Sequence, residues 1–232
     1  MREIIFDTET TGFDPQNGDR MVEIGCIEMI DRIETGESFH CYYNPERAMP
    51  KAAENVHGLS DVFLSDKKLF AHGAEELLAF LGDAKLVAHN AQFDFNFLNA
   101  ELQLCGYQPI SRFRMIDTLA IAKSKHPGAK LSLDALCSRY GIDRSHRVKH
   151  GALLDAELLT QLYIELTGGR QIGLGLADDS KRNDPIASLR PTSQRAERRA
   201  FMTPREHHAD SAELARHKIF IEGIKDPLWT EV

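Results

Sequence analysis

Apolar residues form short continuous runs near the start of the chain and recur at helical spacing further along. The runs predict strands at residues 2–7, 21–30, 37–43, 86–88 and 114–116. The helical spacing predicts helices at about residues 74–81, 91–104, 117–125, 132–140 and 152–166. Strands that come first and then alternate with helices are typical of a mixed α/β sheet covered on both faces.

The composition of the chain changes after Leu166. Thr167-Gly168-Gly169 predicts the end of the last helix, because glycine readily adopts the left-handed conformation common there. From there to residue 211 the chain has too few large apolar residues to build a core of its own. We therefore predict a folded domain followed by a largely flexible C-terminal tail, with the domain at residues 1–167, a linker at 168–211 and a docking segment at 212–232.

The composition also limits the class of protein. With 42% hydrophobic residues the chain can bury a core, and its four widely spaced cysteines argue against a disulfide framework or a cysteine zinc site. A net charge of −7 argues against binding nucleic acid by bulk electrostatics, although divalent cations can supply positive charge at an acidic site. The chain lacks a secretory signal and a long apolar run, so we expect a cytoplasmic protein without a membrane partner.

Two carboxylates stand at the end of the first predicted strand. Asp7 and Glu9 are two residues apart, so their side chains point to the same face and can converge on one cation. Two solvated acids at a strand end are the alternative. The apolar run Ile4-Ile5-Phe6 before them and the turn Thr10-Thr11-Gly12 after them favour a ligand site, because α/β sheets bind ligands at this end of buried strands.

Two further acids and a histidine complete the candidate set. Asp94 lies in the first turn of an apolar helix, where an acid is also favourable without any function. His150 and Asp155 are five residues apart and cannot share a helical face, but Gly151 allows His150 to lie on a loop and turn toward the site. Four carboxylates and a histidine suit two-metal phosphodiester hydrolysis, and oxygen ligands favour two divalent cations, Mg²⁺ or Mn²⁺.

Three segments together resemble the motifs of the DEDDh family of 3′→5′ exonucleases. They are residues 5–12, His89-Asn90-Ala91-x-x-Asp94 and His150-x-x-x-x-Asp155, and the resemblance spans about residues 2–167. It implies a ribonuclease-H-like fold with a mixed five-stranded sheet and helices on both faces. It also implies that His150 is the general base and that the metals are held by Asp7, Glu9, Asp94 and Asp155.

The resemblance further implies which residues contact the terminal nucleotide. The turn after the first strand resembles the turn with which the family binds the terminal nucleotide. Val56-His57-Gly58-Leu59 resembles the family's V-H-G-[IL] segment, which lies near the 3′ end of the nucleic acid. Phe13 and Phe93 can stack on a base or simply pack in the core. Arg144, Arg147 and Lys149 can follow the phosphates of the substrate, but we expect them to form a solvated charged loop. The expected substrate contacts are Asp7, Glu9, Thr10, Thr11, Gly12, Phe13, His57, Asn90, Phe93 and Asp155.

The tail favours one branch of the family. It contains a segment like the Q-x-x-L-x-[LF] peptides that bind sliding clamps, with Gln171, Leu174 and Leu176 at the key positions. An arginine-rich stretch and an apolar end follow, a layout that resembles the proofreading exonucleases of bacterial replicative polymerases. This implies single-stranded or frayed DNA 3′ ends as substrate. It also implies the polymerase catalytic subunit as partner, with the sliding clamp and a small stabilising subunit as further candidates.

Two alternatives stay open at this point. The motifs fix the reaction and not the sugar, so an exonuclease that trims RNA or tRNA 3′ ends also fits them. The other alternative is a tethering or assembly subunit in which catalysis is secondary, although the complete carboxylate set argues against it.

Overall fold

The structure is a computed structural model that describes residues 1–145, 147, 149–169 and 208–224 of the 232-residue chain. The chain divides into two units, Met1–Leu176 and Ala177–Val232. The first unit contains the whole sheet and both main hydrophobic clusters, so the fold of the candidate site belongs to it alone.

One mixed sheet is built from five strands: β1 (Arg2–Thr10), β2 (Met21–Ile30), β3 (Ile33–Tyr42), β4 (Lys85–Ala88) and β5 (Met115–Asp117). Their spatial order is β3-β2-β1-β4-β5, with β1 at the centre. The pairs β1–β2 and β2–β3 are antiparallel, whereas β4 runs parallel to both β1 and β5. The predicted mixed five-stranded sheet is confirmed.

Helices connect the strands and cover the sheet. The helices of the first unit are α1 (Lys51–His57), α2 (Asp61–Leu64), α3 (Phe70–Leu81), α4 (Ala91–Leu104), α5 (Thr118–Lys125), α6 (Leu133–Tyr140) and α7 (Ala152–Leu166). Short 3₁₀ helices lie at Pro15–Asn17 and Arg112–Arg114. The five predicted helices correspond to α3 through α7, and the predicted bounds of α4 and α7 are correct.

Different helices cover the two faces of the sheet. Ile4 and Phe6 of β1 lie in one core cluster with buried residues of α3 and α4. Ile5, which points to the opposite face, lies in a second cluster with buried residues of α5, α6 and α7. The central strand is therefore buried on both sides, and the predicted helices on both faces are present.

Some boundaries differ from the prediction. β1 continues to Thr10 rather than ending at residue 7, because its pairing with β2 runs on through the acidic residues. The sequence does not predict α1 and α2, which span 7 and 4 residues and are too short for a helical period to be recognised. Only local residues mark the bounds of α1: it begins after Pro50 and is followed by Gly58, whose φ of 80° is left-handed.

In the second unit the described residues form one helix, α8 (Ser211–Glu222). Asp210 and Glu213 close its first turn with a capping box. The predicted linker and the clamp-like segment with Gln171, Leu174 and Leu176 lie outside the described residues. No helix in the described ranges is long and apolar enough to cross a membrane.

Candidate active site

The alternation of side chains at the end of β1 directs neighbouring residues to different helices. Asp7 and Glu9 have the same parity as Ile5 and face the side covered by α7. Thr8 faces the other side, where its hydroxyl donates to Oδ1 of Asp94 on α4 at 2.7 Å. The strand thus presents its own two acids toward α7 and fixes the acid of α4 through Thr8.

Asp155 reaches the same region because α7 begins directly against β2. Gly25, the cross-strand partner of Asp7, lies so close to α7 that a Cβ there would be 2.3 Å from the backbone nitrogen of Leu153. Any larger residue would push the helix away from the sheet. Asp155, in the first turn of α7, is buried, and its charge contributes to the raised pKa of Asp7.

Asp117 fixes the start of α4 and thereby the position of Asp94. Its Oδ1 accepts hydrogen bonds from the backbone N–H groups of Asn90 at 3.0 Å and Ala91 at 3.4 Å. Asn90 has a left-handed φ of 65°, a conformation that asparagine adopts more readily than most residues. Asp94 follows in the first turn, where it is buried.

The carboxylates raise one another's pKa. Burial, followed by the charges of Asp94, Glu9 and Asp155, raises the pKa of Asp7 well above its usual value. Burial is also the largest cause for Glu9, whose pKa is about 8, and for Asp94, whose pKa is about 7. A protein without bound cations cannot easily ionise all of these groups together. Crowded oxygen donors of this kind fit a hard divalent cation, which favours their ionised forms.

A fifth buried acid, which the sequence did not single out, lies beside the site. Glu23 on β2 is the cross-strand partner of Glu9, and after burial its charge contributes most to the raised pKa of Glu9. The Nε2 atom of His40 lies 2.7 Å from Oε1 of Glu23. Finding Glu23 from the sequence requires the β1–β2 register, which no local motif reveals.

Arg147 does not lie in a solvated loop, so that expectation is wrong. Its side chain is 8% exposed, and its Nε and Nη2 atoms donate to the two oxygens of Asp155 at 2.5 and 2.6 Å. Its Nη1 atom donates to Asp134 at 2.8 Å. The side chain of Arg147 is therefore buried between Asp134 of α6 and Asp155 of α7, because a guanidinium group can donate to two carboxylates at once. Arg144, which also pairs with Asp134, is 44% exposed as expected, and Lys149 is exposed.

His150 lies on the loop before α7, as the spacing predicts. Its side chain is 47% exposed, and its Nδ1 atom lies 3.2 Å from Oδ2 of Asp155 and 2.7 Å from Nη2 of Arg147. Glu9, His150 and Asp155 each offer one atom within 4.8 Å of the other two. The loop therefore brings the histidine to the acids while leaving it accessible to water.

A cavity of about 540 Å³ opens beside the acids. This volume falls within the range of about 300–1,000 Å³ that small-molecule sites occupy. Three expected substrate contacts, Asp7, Asn90 and Asp155, are not among the lining residues, and the conformation of Asn90 is explained by the start of α4. The expected substrate contacts that do line the cavity are Glu9, Thr10, Thr11, Gly12, Phe13, His57 and Phe93.

The two phenylalanines of the cavity differ in their packing. Phe13 is 89% exposed and contributes little to the core, so it is accessible to a ligand. Phe93 packs against the core, with its ring centroid 4.9 Å from that of Phe97. The exposed ring of Phe13 is therefore suited to stacking on a base. The ring of Phe93 is held by core packing and forms part of the cavity wall.

His57 places a buried polar atom in the cavity wall. Its Nδ1 atom accepts a hydrogen bond from the backbone N–H of Leu59 at 3.0 Å, so the neutral ring carries its proton on Nε2. Burial lowers the pKa of His57, which favours this neutral form. Nε2 has no hydrogen-bond partner among the described residues. A ligand in the cavity is a natural acceptor for this donor, because buried polar groups are rarely left unpaired.

Comparison with known proteins places this geometry in a family. A family model described as "Exonuclease" (RNase_T) matches residues 4–163. The curated relatives include DNA polymerase III subunit epsilon of Rickettsia felis, 46% identical over 97% of this chain and 97% of that protein. They also include the protein of the same name from Escherichia coli, 38% identical over 92% of both chains.

Solved structures share the fold of the first unit. Exonuclease X in complex with 5′ overhanging duplex DNA is 24% identical, with a TM-score of 0.56 over 71% of this chain and 90% of that one. The nuclease domain of 3′hExo, described as a DEDDh family member bound to rAMP, is 17% identical, with a TM-score of 0.62 over 72% of this chain and 91% of that one. At these identities the likeness establishes the fold.

Proposed function

Because this chain belongs to the exonuclease family that its residues 4–163 match, we propose that it is the 3′→5′ proofreading exonuclease of a replicative DNA polymerase, acting on DNA 3′ ends in the cytoplasm. The resemblance to exonucleases drawn from the three motifs is confirmed. Relatives named DNA polymerase III subunit epsilon, similar over nearly the whole chain, support the proofreading role.

One observation carries the catalytic part of the proposal. Glu9, whose carboxylate lies within 4.8 Å of ligand atoms of His150 and Asp155, also lines the cavity, so the candidate reacting groups and a space for a nucleotide are adjacent. The acids belong to three separate elements, β1, α4 and α7, and the fold brings them together at the end of the central strand.

The donor set supports metal binding at this edge. Asp7, Glu9, Asp94 and Asp155 would hold two divalent cations, Mg²⁺ or Mn²⁺, since burial and neighbouring carboxylates disfavour the charged forms of Asp7 and Glu9 and added positive charge offsets both effects. When bound, such cations favour ionisation of the attacking water and neutralise charge on the leaving oxygen.

His150 is the proposed general base. A neutral ring that donates Nδ1–H to Asp155, 3.2 Å away, leaves Nε2 unprotonated and able to accept a proton from water. The contact between Arg147 and Nδ1 requires the opposite arrangement, because a guanidinium can only donate and Nδ1 must then accept. We therefore propose that Arg147 leaves Nδ1 before His150 acts as a base.

The cavity beside the acids is the proposed site of the terminal nucleotide. The turn from Thr10 to Phe13 lines one wall, His57 offers Nε2–H as a donor, and Phe13 offers a ring for stacking on a base. A paired 3′ end must be melted before its last nucleotide can enter such a cavity, at a cost of a few kcal/mol. Single-stranded and frayed ends are therefore the preferred substrates.

The decisive test digests labelled oligonucleotides with and without Mg²⁺ or Mn²⁺. We expect metal-dependent removal of nucleotides from the 3′ end of single-stranded DNA, and faster trimming of a mismatched primer end than of a matched one. Circular single strands should remain intact. Equal rates on matched and mismatched ends, or cleavage of the circles, would contradict the proofreading role.

RNA trimming is the second candidate, supported by the fold shared with a nuclease domain whose structure contains rAMP. The motifs contain no residue that recognises the 2′-hydroxyl group, by which RNA differs from DNA. The same digestion should therefore include an RNA strand of the same sequence. A rate on RNA above that on DNA would favour this candidate. The similarity to epsilon subunits over the whole chain supports DNA.

Residues 168–232 are proposed to hold the exonuclease to its polymerase. The apolar residues Leu214, Ile219 and Phe220 of α8 are 52%, 70% and 67% exposed, which suits docking onto a partner. The proposed partner is the polymerase catalytic subunit. A sliding clamp, bound through Gln171, Leu174 and Leu176, and a small stabilising subunit are further candidate partners. Linkage to the polymerase would raise the effective concentration of the 3′ end to about millimolar.

A truncated chain that ends at Thr167 tests this part of the proposal. It should keep its activity on short single strands and lose co-purification with the polymerase catalytic subunit. If the truncated chain bound that subunit as tightly as the full chain does, the docking surface would lie on the catalytic domain.

A further inference from the structure

A partly buried ion pair lies next to the candidate nucleotide-binding turn but apart from the candidate metal-binding acids. The Nε and Nη2 atoms of Arg20 donate to the two oxygens of Glu101, each at 2.8 Å. Glu101, on α4, is 2% exposed. We infer that Arg20 and Glu101 are positioning residues, which fix the turn Thr10–Phe13 against the helix that carries Asp94. The inference rests on the proposed exonuclease function.

Arg20 holds the turn through its backbone as well as through its side chain. Its carbonyl oxygen accepts from the backbone N–H of Thr11 at 2.9 Å, and its own N–H donates to the hydroxyl of Thr11 at 3.0 Å. Thr11 and its neighbours line the cavity. Because these two hydrogen bonds run in opposite directions, a shift of Arg20 would carry Thr11 and the cavity wall with it.

Glu101 also stabilises an irregularity in the strand pairing next to Glu9. Glu9 pairs with Glu23, but Thr10 pairs with Met21, so the register shifts between these two positions. Bulges of this kind bend a strand and redirect its side chains, often beside active sites. The backbone N–H of Met21 donates to Oε1 of Glu101 at 3.0 Å. The same carboxylate that binds Arg20 therefore also binds the bulge where β1 leaves the sheet to form the turn.

Helix α4 connects this pair to the catalytic acids. Asp94 and Glu101 are seven residues apart, so they lie on nearly the same helical face, separated by about 10 Å along the axis. Asp94 contacts β1 through Thr8, and Glu101 contacts the start of β2 through Arg20. The helix thus sets the distance between a candidate metal ligand and the turn that receives the nucleotide.

In the part of the chain that the structure describes, Glu101 is the hydrogen-bonded connection of the turn to this helix, although the short helix Pro15–Asn17 also packs against α4. The hydrogen bonds between residues 10–21 and α4 that involve side chains all end on Glu101. Asp19 closes the turn upon itself, accepting from the backbone N–H of Asp14 at 3.1 Å and from the hydroxyl of Thr11 at 3.3 Å. The turn is therefore largely closed on itself: Arg47 binds it at Gly18 and Asp19, and Glu101 supplies its hydrogen bonds to α4.

The experiment compares the full-length parent with Arg20→Lys, Glu101→Gln and the control Arg2→Lys. Arg20→Lys keeps the charge but loses the fork, and Glu101→Gln keeps an acceptor but loses the charge. Arg2 forms a comparable ion pair with Glu28, together with hydrogen bonds to the carbonyls of Phe80 and Leu81, at the opposite end of β1. Arg2→Lys therefore removes a similar set of hydrogen bonds and ion-pair contacts at a place away from the nucleotide-binding turn.

Five quantities are measured: KM and kcat on single-stranded DNA, the inhibition constant of a deoxynucleoside 5′-monophosphate, the metal concentration for half-maximal activity, and the melting temperature. In both test variants we expect KM and the inhibition constant to rise together by about tenfold, because a loosened turn binds the nucleotide less well. We expect kcat to change less than about threefold and the metal midpoint to stay parental. The melting temperature of the Arg2→Lys control should fall by a similar amount, but its KM should equal that of the parent.

The outcomes separate this inference from the function on which it rests. Parental KM and inhibition constants in both test variants would overturn the positioning role alone, as would an equal KM increase in Arg2→Lys. A failure of both test variants to fold, with Arg2→Lys folded, would also overturn it, since the pair would then serve folding in general. A parent without metal-dependent exonuclease activity would contradict the proposed function itself.

Discussion

The acids and the histidine of the candidate site are held in two different ways. Asp7, Glu9 and Asp94 lie on the central strand and on the start of a packed helix, and their positions follow from the sheet register and the helix start. His150 lies on the loop before α7, and its side chain is 47% exposed. Its backbone N–H donates to the carbonyl of Val56 at 3.4 Å, and its ring contacts the side chains of Arg147 and Asp155.

This difference separates a fixed part of the site from an adjustable part. Moving an acid on β1 or α4 requires a change in the core, whereas moving His150 requires only the exchange of side-chain hydrogen bonds. The fixed part suits metal binding, which needs several ligands at set positions. The adjustable part suits proton transfer, which needs a group that can change partners during the reaction.

The strongest test of the fixed part is Asp7→Asn. This substitution keeps the shape of the side chain but removes a charge from the acidic cluster, so we expect loss of metal-dependent activity and of the metal-induced rise in melting temperature. The melting temperature of the metal-free protein should rise, because repulsion with Asp94, Glu9 and Asp155 is relieved. Asp66→Asn, at an exposed position, is the control. A parental metal response in Asp7→Asn would show that the metal site lies elsewhere.

The corresponding test of the adjustable part is His150→Ala. Loss of a general base should lower kcat by about 10²–10⁴-fold, while metal binding, measured by the shift in melting temperature, should largely remain. His72→Ala on α3, an exposed histidine distant in sequence from the motifs, serves as the control. A rate within a few-fold of the parent would remove His150 from the mechanism, and loss of the metal response would make it a ligand.

Arg147→Gln tests whether the guanidinium competes with metal for Asp155. Removing one partner of a buried ion pair should destabilise the metal-free protein by about 3–5 kcal/mol, because Asp155 is left without its counter-charge. Added Mn²⁺ should then raise the melting temperature more in the variant than in the parent. Arg144→Gln removes the more exposed partner of the same Asp134 and should change neither quantity much. An unchanged metal response in Arg147→Gln would show that Arg147 and the metal do not compete.

The smallest expected effect is the pH dependence of stability without metal. The folded-state pKa of about 8 for Glu9 and of about 7 for Asp94 lies above the ordinary values of 4.5 and 3.8, so the folded protein binds more protons than the unfolded chain between about pH 4 and 8. Stability should therefore fall as pH rises through this window.

Melting temperatures between pH 6.5 and 8 give the clearest reading of this slope. His57, whose pKa is lowered from 6.5 by burial, acts in the opposite sense only below that range. Mg²⁺ should flatten the slope, because metal binding favours the ionised acids. A slope that metal leaves unchanged would indicate that these acids do not bind it.

The sequence predicted the fold better at its long elements than at its short ones. The bounds of α4 and α7 follow from a sustained helical period, and β2 from a long apolar run. The helices α1 and α2 escaped because so few residues cannot display a period. The candidate acids could be predicted because their spacing and their position after an apolar strand are local properties of the chain.

What the sequence by itself determined was therefore the exonuclease family and the candidate residues: which acids, which histidine and which end of which strand. The partners of those groups were decided by the tertiary structure. The register of β1 and β2 places Glu23 opposite Glu9. Arg147 is buried against Asp155, and Glu101 binds Arg20, which lies 81 positions earlier in the chain. Contacts between residues far apart in sequence depend on how whole elements pack, and no local pattern of residue types carries that information.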